Sequence, residues 1–87
     1  MKTKPEAPIV IERTQTGVRI EKRILKVLKA LADLLDLSLG DLLEGIVLHA
    51  FDGKAAFSPE TRRKIGELKR IYGLELKASN SHHLPES

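Results

Sequence analysis

Cysteine is absent from the sequence, which excludes a disulfide framework and any thiolate metal site and fits a reducing compartment. Long apolar runs are missing too: none approaches the roughly 18 residues that a membrane span needs, so no membrane partner is expected. The opening stretch MKTKPEAPIV is polar and proline-broken, unlike a secretory signal, and the expected location is the cytoplasm. Internal repeats and low-complexity tracts are lacking. No catalytic constellation is present either. Asp41 and Glu44 have no nucleophile or base paired with them, and His82 and His83 stand side by side in a polar tail, far from His49. Neither an enzyme nor a metal or cofactor site is expected.

What is present is a basic chain of 87 residues with a pI near 9.4. Chains of this size bury only about 60–65% of their unfolded surface and often complete a core with a second subunit. The charge is unevenly spread. Residues 1–31 hold eight Lys/Arg against three Glu, residues 32–52 hold five acids and no Lys or Arg, and residues 53–87 hold seven bases against four acids. A basic N-terminal third suits a polyanionic partner approaching that end.

Residues 1–12 read as a flexible arm. From Arg13 to Ile20 the pattern alternates, with Thr14, Thr16, Val18 and Ile20 on one side and Arg13, Gln15, Gly17 and Arg19 on the other. A period of two and frequent β-branching predict a strand with one wet face. From Glu21 the period becomes helical. Apolar residues at 24, 25, 27, 28, 31, 32, 34 and 35 form a wide arc, and Lys22, Lys26, Lys29 and Asp33 line the opposite face. That lysine face is either a solvated surface or a contact for flanking phosphates. Ser38 with Asp41 three residues on predicts a capped restart and a second helix over 39–51, which Gly53 closes in a left-handed conformation. Ser58-Pro59-Glu60 predicts a third helix over 59–72, ended by Gly73. Residues 74–87 read as an extended or disordered tail.

A lone strand leaves both of its edges unpaired, and pairing it with the same strand of a second chain satisfies one of them. Such a two-stranded ribbon has the width of the DNA major groove. With Val18-Arg19-Ile20 in the strand and Leu37-Ser38-Leu39-Gly40-Asp41-Leu42 at the turn, the sequence resembles the ribbon-helix-helix (MetJ/Arc-type) family over about residues 13–52. The resemblance implies a mainly α fold: an intertwined homodimer with a two-stranded antiparallel β-ribbon, a ribbon-helix-helix domain over 13–53 and an additional helix within 54–73. It implies a sequence-specific, DNA-binding transcriptional regulator acting on double-stranded DNA, with paired dimers on adjacent half-sites.

Carried over by residue, base contacts fall to Gln15, Gly17 and Arg19. Gly17 lacks the bulky polar side chain common there, which brings in Arg13 of the same parity. Arg19 suits guanine and Gln15 suits adenine. Phosphate contacts fall to Ser38, Leu39 and Gly40 at the start of the second helix, where free amides favour an anion, and to Lys22 and Arg23 beside the strand. Asp36 stands where many members carry glycine, and Asp tolerates a left-handed conformation. The alternative function is a protein–protein module, such as an antitoxin, that dimerises through its N-terminal part and holds a partner through 54–87.

Overall fold

Each helix is delimited by its own local chemistry. A computed structural model describes residues 8–86, and among them the chain forms α1 (Lys22–Leu34), α2 (Leu39–Phe51) and α3 (Pro59–Tyr72), followed by a single 3₁₀ turn over Ala78–Asn80. Residues 1–7 of the expected arm, and residue 87 of the expected tail, lie outside the described part. Ser38 caps α2 by accepting the Asp41 amide at 3.1 Å, and Ser58 caps α3 by accepting the Thr61 amide at 3.1 Å, with Pro59 opening the helix. The reciprocal half of the Ser38–Asp41 box is not formed, because the Asp41 carboxylate faces Arg13 instead. At α1 the cap is Glu21, whose carboxylate accepts the amides of Arg23 and Ile24 at 2.9 and 3.0 Å.

All three helices stop alike. A left-handed residue follows the last turn, and the amide after it bonds back to a carbonyl five residues earlier. Leu37 donates to Ala32, Lys54 to His49 and Leu74 to Lys69, each at 2.8 Å. Gly53 and Gly73 hold φ at +67° and Asp36 holds it at +59°. The sequence-based boundaries of the second and third helices therefore stand, and Asp36 adopts the conformation expected of it.

The expected strand does not form. Residues 13–20 have no ladder partner, and no strand, sheet or ribbon occurs among the described residues. A strand persists only by pairing. Among the described residues, 22–72 are committed to helices and their connections, and the irregular residues 74–86 form no ladder with the segment, so no edge is offered. The β-branched residues keep the segment out of a helix but do not by themselves make a strand. The ribbon-helix-helix domain over 13–53 and the ribbon-bearing intertwined dimer are corrected accordingly: the fold is three helices preceded by an irregular, exposed segment.

The core is small. Leu31, Ala32 and Leu42 form its centre, with Leu28, Leu35, Ile46, Phe57, Ile65 and Leu68 packed around them. Helix α1 supplies the common wall. Both α2 and α3 pack on it, whereas no α2 residue has its Cα within 8 Å of one in α3. The Arg23 guanidinium donates to the Gly73 carbonyl at 3.2 Å, which ties the start of α1 to the end of α3.

Candidate nucleic-acid interface

Residues 9–19 are all exposed, and this segment meets the helical body at one defined point. Arg13 reaches across to α2 and grips Glu44 with two parallel bonds, Nε to Oε2 and Nη2 to Oε1, both 2.9 Å. Nη2 also lies 3.5 Å from Asp41 Oδ1. Bidentate fork geometry is the case in which an exposed ion pair holds best. It raises the Arg13 pKa, chiefly through the Glu44 hydrogen bond, and the same bond holds the Glu44 carboxyl below the usual range. Arg13 is thus placed as a clamp on the first turns of α2, and contact with a base requires it to release both acids.

The start of α2 is an ambiguous anion site. A shallow cavity there is lined by Ser38 and Gly40, but also by Glu12, Asp41 and Glu44, with Arg13 as its one cation. Nothing lies within 4 Å of a Cβ built at Gly40, so the backbone is approachable. Leu39 is half-buried. Free amides attract a phosphate with the helix dipole, while three neighbouring carboxylates repel it. The charge outweighs the dipole, because each carboxylate carries a full unit and the dipole about half of one.

Other expected contacts divide cleanly. Gln15 and Gly17 are exposed on the irregular segment, and no neighbour crowds Gly17. The Arg19 side chain, 86% exposed, pairs with Glu86 at the far end of the chain. Exposed pairs of that kind contribute about 0–1 kcal/mol, so Glu86 holds Arg19 only weakly. Arg23 is committed to Glu21 at 3.2 Å and to the Gly73 carbonyl. Lys22, Lys26 and Lys29 have no ion-pair partner among the described residues.

Two features went unread in the sequence. The Glu21 cap had a visible signal, an acid just before a helical apolar period. The Arg13–Glu44 clamp spans 31 residues, and its only sequence trace is Asp41 and Glu44 one turn apart. No group of three or more His, Cys, Asp or Glu able to hold a metal occurs among the described residues, and none of their helices is long and apolar enough to cross a membrane. No protein-family model, curated protein or solved structure matches the chain.

Proposed function

We propose that the chain is a homodimeric DNA-binding transcriptional regulator. One observation carries the reading. From Gln15 to Lys29 the chain displays a continuous run of groups suited to bases and phosphates, with Gln15, Arg19, Lys22, Lys26 and Lys29 exposed and only Arg19 held, by a weak surface pair. Insertion of a paired ribbon falls with the strand. What remains of the ribbon-helix-helix resemblance is its order of helix, serine-capped turn and helix. DNA recognition is here assigned to the segment before α1 and to α1 itself.

A second copy of the chain is the occupant assigned to the outer face of α2. Leu43, Val47, Leu48 and Phe51 lie on the side of α2 away from Leu42, and Phe51 is 81% exposed. Leu43, Val47 and Leu48, with Ile11 and the stem of Glu44, border a largely apolar groove. Val47 and Leu48 are 43% and 62% exposed, so this face leaves large apolar side chains in water, the kind of patch that marks an interface. The partner-holding alternative is less favoured, since α3 spends Ile65 and Leu68 on the core and keeps Ile71 as its most exposed apolar residue.

A band shift with mixed-sequence duplex at two salt concentrations, comparing wild type with Arg19→Ala, tests the reading. Wild type is expected to bind at low salt. Loss of a base contact at Arg19 is expected to weaken binding to a preferred site by roughly 5- to 150-fold. Absence of binding by wild type at low salt overturns it.

A further inference from the structure

Fold and charge are arranged together in this chain. Helix α1 carries Lys22, Arg23, Lys26 and Lys29 against Asp33, and α3 carries Arg62, Arg63, Lys64, Lys69 and Arg70 against Glu60 and Glu67. Helix α2 carries Asp41 and Glu44 and no Lys or Arg, with Asp36 and Asp52 at its flanks. Helices α1 and α3, which pack on each other, are thus both basic, and α2, which packs on α1 alone, is acidic. The Arg13 clamp neutralises part of the α2 charge and leaves the basic helices untouched.

Lys26, Lys29, Ala30, Asp33 and Leu34 of α1 and Tyr72 of α3 line an open groove of about 660 Å³. Lys22, Lys26 and Lys29 follow each other at intervals of four and three residues, so they share one face of α1. Resting on the DNA-binding reading above, we infer that this α1 lysine stripe, with Tyr72 as its wall, is the surface that takes the phosphate backbone of the duplex. The start of α2 is not that surface.

Geometry and charge both favour the stripe. Seven residues of helix span about 10 Å, a length over which a DNA strand presents more than one phosphate, and three long, flexible lysine side chains reach neighbouring phosphates from it. Arg19 stands three residues before Lys22 in the sequence, and its weak surface pair with Glu86 leaves it able to add a contact on the base side. The α2 start offers amides with three carboxylates beside them, whereas the stripe has only Asp33, at its C-terminal end, to limit how far a strand runs. Tyr72 adds a phenol, one of the side chains that reach phosphates by hydrogen bonding.

The test is the salt dependence of binding by the full chain to a mixed-sequence duplex. Two variants are compared with wild type: Lys22→Gln, Lys26→Gln, Lys29→Gln together, and a charge-matched control with Lys54→Gln, Arg62→Gln, Arg63→Gln, none of which lines the groove. Each lost phosphate contact flattens the log–log salt slope by about 0.9. The stripe variant is therefore expected to lose about 40-fold less affinity than wild type between about 50 and about 200 mM salt, while the control keeps a slope near that of wild type. Circular dichroism checks that both remain helical. Binding by wild type with an unchanged slope in the stripe variant overturns the assignment and leaves the DNA-binding reading standing. Equal flattening in both variants also overturns it, since net charge then explains the effect. No binding by wild type removes both.

Discussion

Asp36 occupies a left-handed conformation at φ +59°, at a position where the two other helix ends carry glycine. A side chain in that conformation costs roughly 1–2 kcal/mol, and less for Asp, whose short polar group is tolerated there. Asp36→Gly is accordingly expected to raise stability by about 0.5 kcal/mol, the gain being trimmed by the greater freedom of glycine in the unfolded chain. Gly53→Ala is expected to lower it by about 1 kcal/mol. Nothing lies within 4 Å of a Cβ at Gly53, so that loss is conformational and not steric. Denaturant titration of the two variants, with opposite shifts of the midpoint, checks the pair.

Glu21 acts at the same scale. The Ile24 amide is the leading cause that holds its carboxyl below the usual carboxylate range, and the Arg23 guanidinium assists. A lowered folded-state value means that the contribution to stability is fully present above the ordinary Glu range. It is lost as the pH falls through the lowered value. Wild type is expected to lose helicity on acidification over that window, and Glu21→Gln to show a flatter acid limb. Circular dichroism against pH reads both, and identical acid limbs contradict the capping role.

At the scale of elements, α2 is the helix with apolar residues on two sides and a neighbour on only one. In a monomer, replacing the exposed Phe51 by Ser leaves stability nearly unchanged, since surface substitutions usually stay within about 0.5 kcal/mol. In the proposed dimer, the same change is expected to shift sedimentation equilibrium toward monomer and to make the melting midpoint less dependent on protein concentration. A wild type that sediments as a monomer contradicts the assignment of α2 to a second copy.

The helices were legible in the sequence because their stops and starts are local. Ser38, Ser58, Pro59, Gly53, Gly73 and Asp36 each act within a few residues of where they stand. The strand was not, because a period of two states what a segment is able to pair with, not whether a partner edge exists. The candidate site was legible in part. Exposure of the α1 lysine face followed from helical periodicity, but the wet and dry faces expected of residues 13–20 did not, since both parities of that segment are exposed. The capture of Arg13 by Glu44 and of Arg23 by the Gly73 carbonyl depends on tertiary placement across 31 and 50 residues.

For the whole molecule, few side chains are buried and the charge is divided between the basic α1 and α3 and the acidic α2. Among the described residues Val27, Leu31, Ala32 and Leu42 are the buried apolar ones, and no polar or charged side chain joins them. So small a core leaves α1 as the shared support of packing and of the cationic stripe. A duplex bound along α1, as proposed, would run over Lys22, Lys26 and Lys29 toward Asp33. The most direct measurement is fluorescence anisotropy of a labelled mixed-sequence duplex titrated with the 87-residue chain at about 50 and about 200 mM salt. A duplex-binding α1 stripe gives saturable binding at the lower concentration that weakens by at least about tenfold at the higher. Absence of binding at low salt, or binding indifferent to salt, contradicts it.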